Sequence, residues 1–466
     1  MTVMSGGSAN RIGRRSMPNI DEKQITTHPM AKLVTQPEEI EKLGIQEAVV
    51  YDLIYRLMFQ ERNVSISRFR EILRLPAQML DKMMSKLKQE NVVEITGTGS
   101  LGSLTYTYRL TDAGVRRARD SMDRSQYIGP VPIDIEVYNE SVLIQSSNVE
   151  RITPERVQKA IGHLILPDGF HRRIGAAINA GTSLFLYGPP GNGKTTIAEA
   201  CAELLAGTEP IFMPYALNVA GQIIQLFDPL KHEEVIPGND FASRFGNRKL
   251  DERWAIIKRP SVMVGGELDM QGLELRYEPV AKFYEAPLQM KANGGMFLID
   301  DFGRQQITPE ELLNRWIVPL ETRIDFLTLQ SGQTIQFPFK QLIVFSTNLD
   351  PSELTDGAFL RRIQIKVEVT GPDEKMFYEL FKIMCNVYKV PFDRDGFIHL
   401  VKNWYRGKEA TRPMQSAHPR DILKTIIAIC NYLDEDPVMS PAMIDEACES
   451  YFVDMDREKS WSMGMK

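Results

Sequence analysis

Cysteine is scarce in this 466-residue chain: Cys201, Cys385, Cys430 and Cys448 are the only four. None stands in a CxxC pair or beside a histidine-bearing partner motif, so neither a structural zinc site nor a disulfide framework is expected, and a reducing, cytoplasmic compartment fits best. Six histidines are dispersed without metal-ligand spacing, and no Ser/His/Asp nucleophile constellation is present. No apolar run reaches about 18 residues, which removes a helical membrane span. Charge of one sign is not in strong excess either. With 55 Lys and Arg against 61 Asp and Glu, the net of -6 argues against a chain that binds nucleic acid electrostatically over its whole surface. Internal repeats are lacking, which leaves solenoids and propellers out.

What remains is a soluble globular composition, 43% hydrophobic and 25% charged, long enough for about three domains. Residues 1–45 read as a disordered tail, because Ser5-Gly6-Gly7-Ser8 and Arg11, Arg14, Arg15 stand without apolar periodicity. A secretory signal would need an apolar stretch, and a transit peptide an amphipathic helix; neither pattern is present. Residues 46–126 change character. Val49, Val50, Leu53, Ile54, Leu57 and Met58 recur at helical spacing, Phe69, Ile72 and Leu73 mark a second helix, and Pro76 opens a third with Met79, Leu80, Met83, Met84 and Leu87. An extended run at Val92, Val93 and Ile95, a Gly/Ser turn over 97–103, and alternation at Leu104, Tyr106 and Tyr108 predict a hairpin, after which Thr111 caps another helix.

A linker at 127–150 leads into an α/β segment at 151–370. Apolar runs at Leu184 to Tyr187, Ile211 to Met213, Met296 to Ile299, Leu342 to Phe345 and Ile363 to Val369 predict strands of a parallel sheet covered on both faces. Residues 371–466 read as helical throughout, with Ser440-Pro441 opening the last helix.

The chemistry concentrates in the α/β segment. Gly188-Pro189-Pro190-Gly191-Asn192-Gly193-Lys194-Thr195 follows the strand Leu184 to Tyr187 and precedes a helix beginning with Thr196, which is the P-loop context. Its glycines let backbone N–H groups turn around a phosphate, Lys194 reaches the outer phosphates, and the Thr195 hydroxyl suits Mg²⁺. Further on, Met296 to Ile299 ends in Asp300 and Asp301, the acids that Mg²⁺ coordination and water activation ask of a neighbouring strand. Asp300 is expected at the metal and Asp301 at the water. The tripeptide Asp301-Phe302-Gly303 matches a kinase motif by chance, since no kinase catalytic loop accompanies it.

With these residues in place, the segment from about 150 to 455 resembles the AAA+ ATPases. The resemblance implies a P-loop NTPase α/β core with a C-terminal helical lid, ATP and Mg²⁺ as cofactors, and a homo-oligomer, commonly a ring. It also assigns roles: Leu342-Ile343-Val344-Phe345-Ser346-Thr347-Asn348 ends in a sensor-1 candidate, Asn348; Ala358-Phe359-Leu360-Arg361-Arg362 looks like the arginine-finger segment; His418-Pro419-Arg420-Asp421 looks like sensor 2, with Arg420 reaching from the lid. One position departs, because the family's second acid is usually Glu and Asp301 is shorter by one methylene, about 1.5 Å. An active but slow ATPase is the expectation. The long insertion between Asp228 and Gly294, and a hairpin predicted around Gln330-Ser331-Gly332-Gln333, look like the MoxR and chelatase-type branch.

The order of elements in 46–126 resembles a winged helix, which implies a DNA-binding or docking module. Gln78, Asp81, Lys82, Ser85 and Gln89 on its third helix are the candidate DNA contacts. Thirteen Lys and Arg against ten Asp and Glu leave this segment at +3, a weak basic excess, so docking or assembly on a protein client is favoured over DNA. Threading a polypeptide through a ring would call for an aromatic-Gly pore loop, to which only Phe245-Gly246 offers a hint. Three functional readings follow: an ATPase that remodels a partner, a nucleotide-switched DNA-binding regulator with slow hydrolysis, and a scaffold that binds ATP without turnover.

Overall fold

The computed structural model describes residues 28–97, 106–147, 150–162, 169–236, 238, 241, 243–246, 248–351, 357–407 and 410–452, so tail residues 1–27 and most of the predicted Gly/Ser turn lie outside the described residues. Residues 28–45, read above as tail, are instead packed. His28 caps a short 3-10 turn, Pro29–Lys32, and Met30, Ala31 and Val34 are buried among Phe212, Phe241, Phe245 and Trp254. Their spacing follows neither the helical nor the strand period, which is why the pattern does not announce them.

The first unit has helices Glu47–Glu61, Ile66–Leu73, Ala77–Gln89 and Asp112–Arg124, with β1 Asn63–Ser65, β2 Val93–Gly97 and β3 Thr107–Leu110. Ser65 and Thr111 cap the helices that follow them by accepting the Arg68 and Gly114 N–H groups. The strands form an antiparallel sheet in the order β1-β3-β2, with Val64 opposite Tyr108 and Val93 opposite Leu110. β1 is an element the sequence pattern missed, being three residues long. Leu53, Ile54, Met58, Phe69, Leu80 and Met84 close the core between helices and sheet, each contributing about 1.5–3 kcal/mol by leaving water. Ala216 and Ile223 belong to the same core, with Phe283 of the insertion packed against it, so this unit is seated on the α/β part.

The remaining strands are β4 Ile133–Asp134, β5 Ser183–Tyr187, β6 Ile211–Pro214, β7 Ala216–Val219, β8 Gln222–Gln225, β9 Trp254–Ile257, β10 Ser261–Val264, β11 Arg276–Glu278, β12 Phe283–Glu285, β13 Met296–Ile299, β14 Ile324–Thr328, β15 Thr334–Pro338, β16 Leu342–Thr347 and β17 Ile365–Glu368. The central sheet is five-stranded and all parallel, in the order β10-β13-β16-β5-β17. Its side chains divide by the two-residue period. Leu184, Leu186, Leu298 and Val344 meet Ile174, Ile197 and Leu204, whereas Phe185, Phe297, Ile343 and Phe345 meet Leu312 and Trp316 on the other face.

One expected strand of this sheet is corrected. Ile211 to Met213 pairs antiparallel with β9, and the place at the edge is taken by β10. Both strands are four residues long with an apolar run of three, and an apolar run specifies burial without specifying its partner. A second, mixed sheet runs β11-β12-β8-β7-β4, of which the insertion supplies β11 and β12, and β14 and β15 form the predicted hairpin, with Ile324 opposite Pro338. Phe245 is buried in the aromatic cluster with His28, Phe212 and Phe241, which leaves the pore-loop hint without support.

The C-terminal unit packs helices Glu374–Tyr388, Arg394–Leu400, His418–Leu433 and Pro441–Tyr451 around Phe377, Phe381, Ile422, Ile426 and Ile444. It is not helical throughout: a π turn, Val401–Tyr405, runs into a two-stranded pairing of 406–407 with 410–411.

Candidate functional site

β5 delivers the chain into Gly188, and the helix Lys194–Ala206 carries it away. Gly188, Gly191 and Gly193 have φ of 133°, 76° and 85°, the left-handed region that favours glycine. A Cβ on Gly188 would sit 2.5 Å from the Val369 carbonyl oxygen, and one on Gly191 would sit 2.6 Å from Gln415 Oε1. No side chain caps this helix, so its first N–H groups face the loop with the positive end of the helix dipole behind them.

Lys194 is only 6% exposed, and its ammonium donates to the carbonyls of Gly188 and Pro189, both at 2.9 Å. Burial lowers its pKa, against the opposing pull of Asp301 and Asp300. Thr195 Oγ1 donates to Asp300 Oδ2 at 2.9 Å, which joins the end of β13 to the start of the P-loop helix. Asp301 has φ 48°, a left-handed turn that Asp tolerates better than most residues. Its Oδ1 accepts from Asn348 Nδ2 at 2.9 Å, so the expected water-activating acid and the expected sensor are joined directly.

Gln305 was not singled out by the sequence, yet it holds this acidic turn. Its Nε2 donates to the Asp300 and Asp301 carbonyls at 2.9 and 3.3 Å, and its Oε1 accepts from Gly303 N at 2.8 Å. A glutamine four residues beyond the acids carries no motif, and only the turn's closure reveals it.

The helical unit covers the loop. Ala417 N donates to the Gly191 carbonyl at 2.8 Å, and Ser416 N donates to Asn192 Oδ1 at 3.1 Å. Between loop and cover lies a cavity of about 490 Å³, lined by residues 190–197, Asp300, Asp301, Ser346 and Asn348 on one side and Leu380, Ile383, Met384 and Arg420 on the other. Arg420 Nε is engaged by Asp421 Oδ1 at 2.7 Å at the start of its helix. Leu380, Ile383 and Met384 were legible only as a helix's apolar face; that they wall a polar cavity is a tertiary fact. Arg361 and Arg362 lie apart from this cavity, at the end of the helix Gly357–Arg362, where Arg362 Nε donates to Glu321 Oε1 at 2.5 Å.

Chemically, the cavity presents backbone N–H groups, one buried ammonium, two carboxylates, a hydroxyl and an amide around a pocket with an apolar wall. That set suits a phosphorylated ligand carrying an apolar ring.

On the helix Ala77–Gln89, Gln78, Lys82, Ser85 and Gln89 are exposed, whereas Asp81 is half-buried with a partnerless buried Oδ1. Of the segment's thirteen cations, Arg56, Arg68, Arg70, Lys86, Arg109, Arg117 and Arg124 stand in ion pairs, Arg70 with Glu252 of the inserted segment. Pairing removes much of the positive potential a phosphate backbone would meet.

The central unit has a P-loop α/β fold. A family model described as a domain of unknown function (DUF8689) matches residues 373–450, the helical cover. No curated protein matches the chain. Among solved structures, NtrX from Brucella abortus in complex with ATP is similar at 13% identity and a TM-score of 0.37, over 62% of this chain and 58% of that one. The match therefore spans less than two thirds of NtrX. The RuvB Holliday junction branch migration motor of Thermotoga maritima is similar at 16% identity and a TM-score of 0.33, over 65% of this chain and 71% of that one. Likeness at these scores transfers no residue role and no activity.

Among the described residues, no helix is long and apolar enough to cross a membrane.

Proposed function

We propose that this chain is an AAA+-type ATPase that binds ATP with Mg²⁺ and uses its hydrolysis to move the helical cover and remodel a protein partner. The observation that carries the reading is the convergence of Lys194, Thr195, Asp300, Asp301 and Asn348 on one cavity whose cover is tied to the P-loop backbone through Ala417 and Gly191. A ligand that occupies the loop then bears directly on the cover.

The residues fit both cofactors. The Gly191 and Gly193 conformations and the uncapped helix start suit a triphosphate, and Lys194, whose partners are two neutral carbonyls, is available to it. Mg²⁺ would be held by Thr195 Oγ1 and Asp300; among the described residues no cluster of three or more His, Cys, Asp or Glu stands ready for a metal, so phosphate oxygens and water would complete its shell. Bound there, it would neutralise charge on the outer phosphates. Asp301 is the acid for the attacking water, with Asn348 holding its carboxylate in place.

Arg361 and Arg362, being off the cavity, are proposed to serve the site of a neighbouring copy in a homo-oligomer, where such a group contributes roughly 10³ to 10⁵ in rate. The insertion with its strands β11 and β12, and the β14–β15 hairpin, support the nearer resemblance to the MoxR and chelatase-type branch. The paired cations of the first unit favour a docking role for it over DNA binding.

The test is steady-state ATP turnover by the full chain with and without Mg²⁺, in wild type and Lys194→Ala, at one salt concentration and with or without duplex DNA. Mg²⁺-dependent turnover lost in Lys194→Ala is expected, with no stimulation by DNA; turnover that survives in Lys194→Ala refutes the assignment. Mixing Arg361→Ala/Arg362→Ala subunits with Lys194→Ala subunits should restore turnover where intact loops meet intact arginines. Absence of rescue counts against a finger supplied by a neighbour.

A further inference from the structure

At the other end of the parallel sheet lies a second cavity, of about 640 Å³. Its walls are the last turns of the helices Ile135–Ser147 and Phe170–Ala180 and the segments that lead into β5, β13 and β16. β5 begins here and ends at the P-loop, so its five residues set the two sites on the order of 15 Å apart.

Among the described residues, four cations line this cavity, Arg151, Arg259, Arg323 and Lys340, and no Asp or Glu does. Arg259 is 5% exposed; its Nη1 donates to the Gly294 carbonyl at 2.6 Å, its Nη2 to the Gln145 carbonyl at 3.4 Å, and its Nε has no partner. Arg323 Nη2 donates to the carbonyls of Gly181 at 2.6 Å and Gln341 at 3.1 Å, while its buried Nη1 has no partner. Gln341 is 1% exposed, and neither its amide nitrogen nor its amide oxygen is hydrogen-bonded. The salt bridges among the described residues include none to Arg259, Arg323 or Lys340.

Glu209, outside the described lining residues, pulls on Arg259 but is itself paired with Arg244 at 2.6 Å, so such a cluster remains costly, because neutral carbonyls compensate a buried guanidinium only in part. Burial brings the Arg259 and Arg323 pKa values down to about 10, and Lys340 is lowered by burial and by Arg323 beside it. Both arginines therefore stay cationic at neutral pH. The carbonyls that could repel an anion, those of Gly181 and Gly294, are already taken by guanidinium donors. Planar guanidinium forks beside an ammonium match phosphate oxygens in geometry as well as charge, and the volume lies in the range of small-ligand sites.

We propose that this cavity is a second anion site that binds a diphosphate, either free or as the end group of a small ester. It does not depend on the P-loop being a catalytic site.

The experiment is calorimetric titration of the full chain carrying Lys194→Ala, which silences the P-loop. One arm uses inorganic pyrophosphate and the other a nucleoside diphosphate, which separates the free anion from the ester. Saturable binding in at least one arm is expected, weakened at least about tenfold by Lys340→Glu and retained by Lys340→Arg. Lys340 is half-buried without a hydrogen bond of its own side chain, so both variants should keep the wild-type melting temperature and, with Lys194 intact, the wild-type ATP affinity. No binding in either arm overturns the proposal, and so does binding that Lys340→Glu leaves unchanged.

Discussion

The two ends of one parallel sheet handle positive charge in opposite ways. At the P-loop end, Lys194 rests on two backbone carbonyls with Asp300 and Asp301 close enough to favour its charge, and an uncapped helix start faces the same space. At the opposite end, Arg259 and Arg323 donate to backbone carbonyls, Arg323 also lies over the Phe339 ring, and no Asp or Glu is among the described lining residues, Glu209 acting on Arg259 from outside them. A cation balanced by nearby acids can be exchanged between internal and ligand partners as the ligand changes. Cations without acids favour an anion that stays. The difference is what the two proposals predict, turnover at the first end and holding at the second.

Breaking the first end should produce the largest effect. Lys194→Ala is expected to reduce ATP affinity by about 100-fold or more, since it removes charge-assisted hydrogen bonds to the outer phosphates. Equilibrium titration with a fluorescent ATP analogue measures it, and diphosphate binding at the other end should be untouched. Next comes the acid. Asp301→Asn keeps the side chain's size and removes its basicity, so single-turnover hydrolysis should fall roughly 10² to 10⁴-fold while ATP affinity changes little. Asn348→Ala should cost less, about tenfold to 100-fold in the same assay, because Asp301 loses one hydrogen bond and keeps its charge.

Gly191→Ala sharpens the contrast further. It adds a Cβ in a left-handed conformation, 2.6 Å from Gln415 Oε1, and should weaken nucleotide binding several-fold by loosening the cover. No such coupling is expected of the far cavity.

The smallest effect is the share of the pH dependence that comes from the cover, beside those of His28 and His232, whose pKa values burial also lowers. His418, buried with Tyr405 OH 2.7 Å from its Nδ1, has its pKa pushed down to about 4 by burial, from 6.5 in the unfolded chain. Between these values the unfolded state binds the extra proton, so stability falls as pH drops from about 6.5 towards 4 and is fully present above 6.5. Thermal melts across that window should show the decline, and His418→Gln should make it shallower, with His28 and His232 supplying the rest; an unchanged slope would count against His418 as a source.

Much of the first end was legible in the chain because it is local. Gly188 to Thr195 is one contiguous stretch, and the loop's backbone follows from where its glycines stand. Asp300, Asp301 and Asn348 were legible as polar residues ending apolar strands, although nothing in the spacing showed that Asn348 would hold Asp301. Gln305 and the apolar wall of Leu380, Ile383 and Met384 were not legible, since a glutamine in a turn and an amphipathic helix look the same in any protein. The choice of edge strand was misjudged for a related reason: Ile211 to Met213 and Val262 to Val264 are both short apolar runs of three residues, and their partners lie dozens of residues away.

The sequence by itself determined the P-loop, the parallel α/β class, the order of the helical and strand segments and the β14–β15 hairpin, all set by periodicity or by neighbours within a few residues. Only the tertiary structure decided that residues 28–45 are packed against the rest, that β11 and β12 of the insertion join β4, β7 and β8 in a sheet that carries the first unit, and that Arg151, Arg259, Arg323 and Lys340 share one cavity. Short-range backbone geometry is encoded by adjacent residues, but which distant surfaces meet is settled by burying apolar area over the whole chain at once.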